Sequence, residues 1–146
     1  MIWWEDFKVG DQAELGRHTF TEEEIVTFAR QFDPQPFHTD PQAAQATVFG
    51  GLIASGWHTC AVGMRLMCEC TINRSVSLGS PGIDNIRWLK PVRAGDTLSY
   101  RRIVVEARAS TTRQGVGLVK HRWEALNQHD ELVLTMEGWG LFGRKN

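Results

Sequence analysis

From Ile53 to Ile72 the chain carries its longest apolar stretch, and most of it lacks a polar stripe. A helix that is apolar all round is a buried one, so this segment predicts a central helix. Ser55 is its N-cap, with Gly56 just inside the first turn, and Arg65 and Glu69 are spaced to pair where it emerges. Ahead of it, Thr21-Glu22-Glu23-Glu24 has the form of a capping box and opens a helix whose apolar residues Ile25, Phe28 and Ala29 keep helical spacing until about Phe32. Phe7–Asp11 reads as a strand lead-in that ends at a Gly-Asp turn. Thr39-Asp40-Pro41 supplies a cap and a first-turn proline for a short helix over Gln42–Ala46, and Phe49-Gly50-Gly51 is a turn. Beyond Asn73 the period changes. Ile83–Leu89, Thr97–Ala107, Gly117–Leu126 and Leu132–Phe142 are strand-like, with Pro91, Gly95-Asp96 and Gln128-His129-Asp130 at turns. Helices followed by an antiparallel meander predict an α+β domain over residues 1–146, with a long curved sheet against the central helix.

Composition narrows the class without choosing a function. The 146 residues are 42% hydrophobic and 23% charged, with a formal net charge of −1. This balance argues against a broad nucleic-acid-binding face, and no run of about 20 apolar residues predicts a membrane span. No signal-peptide pattern opens the sequence, and the three cysteines, Cys60, Cys68 and Cys70, all fall in the apolar segment. Reduced, buried, cytoplasmic thiols are expected. Cys68 and Cys70 point to opposite sides of a helix, and the five histidines have no regular ligand spacing, so no metal site is expected.

Chemistry concentrates in Asp33-Pro34-Gln35-Pro36-Phe37-His38. The two prolines exclude a regular element and stiffen a loop carrying a carboxylate and an imidazole, a pair able to act as general base and acid. The same residue types are ordinary in turns, so a capping Asp33 and a surface His38 fit the pattern too. Ser55-Gly56 is the second feature. A helix start offers amides without intrahelical acceptors, and a glycine lets a ligand approach that backbone to polarise a carbonyl. A helix that merely begins after a turn has the same sequence. His58 and Thr59 face either a cleft or the core, and His18, His121 and His129 read as surface or packing residues. The six tryptophans, Trp3, Trp4, Trp57, Trp88, Trp123 and Trp139, read mostly as core, with Trp57 the one placed to line a pocket.

Taken together, these motifs resemble the MaoC-like dehydratases, relatives of the R-specific enoyl-CoA hydratases. The resemblance runs through Trp4–Asp11, the helix Thr21–Arg30, the stretch Phe28–Pro41 containing Asp-x-x-Pro-x-His, Phe49–Gly56, and Trp88–Thr97. It implies a hotdog fold, in which a curved antiparallel sheet wraps a long helix, and a homodimer or higher homo-oligomer. It implies an acyl-CoA substrate in fatty-acid metabolism, no separate cofactor, no nucleic-acid partner and no membrane partner. Asp33 and His38 would be the catalytic pair acting on water, and Gly56, with Ser55, would bind the thioester carbonyl. Gln35, Phe32 and Trp57 would contact substrate. The sequence departs from the family pattern where Phe32 replaces a glycine, Gln35 an asparagine, and Met64 a serine; Phe32 would add bulk beside the base. Two other readings of the same chain are a hotdog thioesterase, whose helix carboxylate would have to be Glu69, and a non-catalytic acyl-thioester binder.

Overall fold

The computed structural model describes residues 1–145. It contains five strands, β1 (Gln12–Thr19), β2 (Gly82–Trp88), β3 (Thr97–Ala109), β4 (Val116–Leu126) and β5 (Leu132–Gly143), and four helices, α1 (Glu22–Phe32), α2 (Pro36–Thr39), α3 (Pro41–Gln45) and α4 (Gly56–Cys70). The strands form one sheet in the order β1-β3-β4-β5-β2, and every neighbouring pair is antiparallel. The four strands predicted after Asn73 lie where expected, to within two residues at each end.

Three expectations change. The strand begins after the Gly10-Asp11 turn, not before it: Asp11 N–H closes the turn on Lys8 O, and β1 runs from Gln12. The proline loop is not wholly irregular, because Pro36 opens a single helical turn through Thr39. Proline is tolerated at the first helical position, where its missing N–H has no acceptor to find. The third change concerns α4, which is not buried all round. His58, Thr59, Val62, Gly63, Leu66 and Met67 are buried, while Trp57 is 56% and Met64 44% exposed.

Where α4 does face the sheet, it packs closely. Gly63 passes over the rings of Tyr100 and Trp123, where an added Cβ would come within 3.1 and 3.3 Å. Tyr100 Oη donates to Thr59 O at 2.8 Å, which satisfies the one polar atom of a fully buried ring. Phe20, Ile25, Leu98 and Leu134 complete this core, each fully buried side chain contributing roughly 1.5–3 kcal/mol. A smaller cluster of Phe7, Val104, Val119 and Phe142 closes the far end of the sheet. At α1 the capping box forms as read: Thr21 Oγ1 accepts from Glu24 N–H at 3.2 Å, and Thr21 N–H donates to Glu24 Oε1 at 2.9 Å. No helix among the described residues is long and apolar enough to cross a membrane.

Candidate active site

The end of α1, the α2 turn and the start of α4 bring the sequence's two chemical features together. Asp33 is the C-cap of α1, and His38 sits in α2 behind the Pro36 start. Their side chains meet, with His38 Nε2 3.3 Å from Asp33 Oδ2. His38 is buried, and its Nδ1 lies 2.6 Å from Ile53 O. A carbonyl only accepts, so Nδ1 carries a proton, and Nε2 is the ring atom turned toward Asp33.

Asp33 is held charged. Burial alone would raise its pKa, but it is outweighed by two donors, Gln35 Nε2 to Oδ1 at 2.7 Å and Ser55 Oγ to Oδ2 at 2.7 Å, together with the electrostatic attraction of the neighbouring imidazole. The net direction is downward from the ordinary carboxylate value. A carboxylate oxygen and an imidazole nitrogen therefore face each other at hydrogen-bonding range. Ser55 serves both features at once. Its hydroxyl donates to Asp33 and accepts from Trp57 N–H at 3.3 Å as the N-cap of α4. The Gly56 amide, at the first helical position, has no intrahelical acceptor.

Asp33, Gln35, His38, Gly56 and Trp57 border one cavity of about 390 Å³. Phe32 does not. Its ring leans back along α1 onto Phe28, 5.1 Å between centroids, and is 64% exposed. It therefore adds no bulk beside Asp33, since the helix ends at that residue and turns the two side chains apart. Gln35, the longer amide, reaches the carboxylate directly. The Gly56 surface also differs from expectation. The indole of Trp88 covers its Cα, and a Cβ there would sit 2.3–2.7 Å from the ring. Only the amide side of this helix start is left for a ligand.

Trp88 is a site residue that sequence reasoning took for core. It is 46% exposed and makes an edge-on pair with Trp57 at 5.3 Å. Of the six tryptophans only Trp123 is buried. Lys90, bound to Glu131 outside, and Leu89 also reach the cavity rim. The signal available was their place in the Trp88–Thr97 strand-turn motif; the tertiary contact itself has no local trace.

The remaining candidates fall elsewhere. His58 is buried and stacked on Phe28 at 4.7 Å, where burial pushes its pKa down. Thr59 is buried and borders the cavity. His18 pairs with Glu24 at 2.8 Å, and His129 lies in an exposed turn. Glu69 is exposed beside Arg65, near the far end of α4. The three cysteines are unbonded and part-buried.

Residues 7–124 match the family described as MaoC like domain. A crystal structure of the MaoC-like dehydratase from Rhodospirillum rubrum superposes with a TM-score of 0.90 at 35% identity, covering 100% of this chain and 99% of the other. The chain is 29% identical over 94 residues to the uncharacterized protein YdeM of Bacillus subtilis, covering 64% of this chain and 67% of YdeM. It is 32% identical over 103 residues to an (R)-specific enoyl-CoA hydratase of Rhodospirillum rubrum, covering 66% of this chain and 65% of that one. The chain thus spans about two thirds of these curated relatives. A family match across most of its length and a counterpart superposing end to end lead to one conclusion: the chain belongs to the MaoC-like dehydratase family and has its hotdog fold.

Proposed function

We propose that the protein interconverts trans-2-enoyl-CoA and (R)-3-hydroxyacyl-CoA, with Asp33 and His38 as its catalytic pair. The observation that carries this reading is the 3.3 Å approach of a carboxylate and an imidazole nitrogen inside a cavity that begins at a helix N-terminus. A water donating one hydrogen to His38 Nε2 and the other to Asp33 Oδ2 would point a lone pair at the substrate's β-carbon. As its oxygen bonds to that carbon, the pair takes the proton and returns it to the α-carbon, so hydroxyl and hydrogen both come from one water. Electron density passes meanwhile onto the thioester oxygen, where the Gly56 amide and the α4 dipole oppose the growing negative charge. Gln35 and Ser55 hold Asp33 in place. The reverse sequence eliminates water. CoA enters as part of the substrate, and the chemistry needs no other cofactor. The name of the Rhodospirillum rubrum hydratase supports the acyl-CoA class and the (R) outcome.

The test is loss of the conjugated-thioester absorbance of crotonyl-CoA, with a thiol reagent alongside. Hydration without free thiol is expected, and Asp33→Asn, nearly equal in volume, should lower it on the order of 10³-fold. Free CoA would move the protein to the thioesterases, and full activity in Asp33→Asn would overturn the assignment. Glu69, the helix carboxylate that the thioesterase reading calls for, is exposed, far along α4 and outside the cavity.

A further inference from the structure

A second cavity, of about 480 Å³, lies between α4 and strands β2 and β5. Trp57 borders both this cavity and the one containing Asp33, so the two spaces adjoin at the first turn of α4. Its walls are almost wholly apolar, with Met64, Met67 and Met136 supplying flexible side chains and Trp123 part of the floor. From Trp57 to Met67 the helix rises about 15 Å. A four-carbon acyl group would leave most of such a space empty.

One polar ring stands in this apolar wall. His121 is 95% buried by its 5% exposure, borders the cavity, and has Nε2 buried without a hydrogen-bond partner. Phe7 and Phe142 hold it edge-on at 5.4 and 6.1 Å. Strand register gives its position. Trp88 is aligned with Leu134 and Leu134 with Ala125, while His121 lies four positions back along β4 from Ala125, about 13 Å away. The orphaned imidazole is therefore at a distance from the thioester end that suits the far part of an acyl chain.

We propose that this cavity holds the acyl tail and that His121 receives a hydroxyl or carbonyl oxygen near its distal end, so that the protein selects long acyl thioesters oxygenated far from the thioester. The proposal rests on the hydratase reading above for the thioester's placement. Burial, with the nearby Arg102 charge, pushes the His121 pKa down to about 3, so the ring is uncharged near neutrality and matches a neutral oxygen.

The experiment compares trans-2-decenoyl-CoA with its ω-hydroxy and (ω−1)-oxo counterparts, reading kcat/KM for hydration. Affinity of the corresponding saturated acyl-CoAs is read separately, from quenching of tryptophan fluorescence. One buried neutral hydrogen bond predicts a preference of about tenfold for an oxygenated chain. His121→Phe should bring that ratio to about one, whereas a merely structural role would lower both substrates together and leave the ratio intact. Crotonyl-CoA hydrated without any preference among the longer chains overturns the inference and leaves the hydratase reading standing. Preferential binding of the oxygenated chains without hydration upholds the inference and removes the hydratase reading. Equal binding of every chain length, with Met64→Glu turning a dimer into a monomer, would give the cavity to a second copy and overturn the inference.

Discussion

Ser55 joins structure to chemistry in a single hydroxyl, since it accepts from Trp57 N–H as the α4 cap and donates to Asp33 Oδ2. Ser55→Ala removes both bonds. Loss of the cap costs about 1 kcal/mol, read as a lower unfolding midpoint. The second effect is on Asp33. Its folded pKa lies below its unfolded value, so its contribution to stability is fully present at neutral pH and is lost as pH falls through the folded value. Without the Ser55 donor that folded value rises toward the ordinary carboxylate range. The acid limb of the rate profile should then move to higher pH, a shift that loss of a cap alone would not produce. At this scale the sequence was most legible where chemistry and rigidity coincided. Proline spacing marked Asp33 and His38, and the Ser-Gly pair marked the helix start. It was silent on the Ile53 carbonyl that fixes the imidazole tautomer and on the indole over Gly56, because both contacts join residues brought together only by packing. Phe32 misled for a related reason: adjacency to Asp33 in sequence is not adjacency in space when a helix ends between them.

Among the elements, those with a strong period were legible and those defined by an edge or a single turn were not. β1 was missed because an edge strand with Glu14, Arg17 and Thr19 exposed and a bulge between Glu14 and Gly16 has little apolar alternation. The α2 turn was missed because proline's exclusion from helix interiors does not extend to a first turn. β4, by contrast, is a central strand with most of its length buried, and it places a histidine where only a neutral ring fits. This position has a consequence for acid stability. The folded pKa of His121, about 3, lies below the ordinary imidazole value of 6.5, so between those values the unfolded chain binds a proton that the native state refuses. Stability from this residue is therefore complete above about pH 6.5 and declines as pH falls. From pH 7 to pH 5 the loss is roughly 2 kcal/mol, at about 1.4 kcal/mol per unit below pH 6.5. Urea unfolding at the two pH values should show it, and His121→Phe should flatten that slope. An unchanged midpoint between pH 7 and pH 5 in the parent protein would mean that the ring is protonated in place.

For the molecule as a whole, both sheet edges expose charges, but only one also exposes large apolar side chains, and that difference points to self-association. β1 carries charges at its edge, which discourages pairing with another strand. β2, the other edge strand, carries Ile83, 49% exposed, and ends in Trp88, 46% exposed, with the polar Asp84, Asn85 and Arg87 exposed between them. Beside it runs the open face of α4 with Trp57 and Met64, so large apolar side chains of an edge strand and of a helix are exposed together. This pairing explains why α4 reads as a fully buried helix while its own sheet covers only one side: the apolar pattern fits a helix with two partners, one of them outside the chain. We therefore expect a homodimer related by a two-fold axis, joined through β2 and the outer face of α4, whose second copy roofs the cavity along the helix. A stable pair of this kind buries about 800 Å² per partner. Light scattering at micromolar concentration should give twice the chain mass. Ile83→Lys places a charge on the pairing edge and Met64→Glu places one on the helix stripe, both at positions already partly exposed in the single chain. Together they should yield a folded monomer, with an unchanged far-ultraviolet spectrum. A double variant that stays dimeric would move the contact elsewhere on the surface. A parent protein that is monomeric at this concentration would leave the apolar face of α4 without the partner its composition calls for.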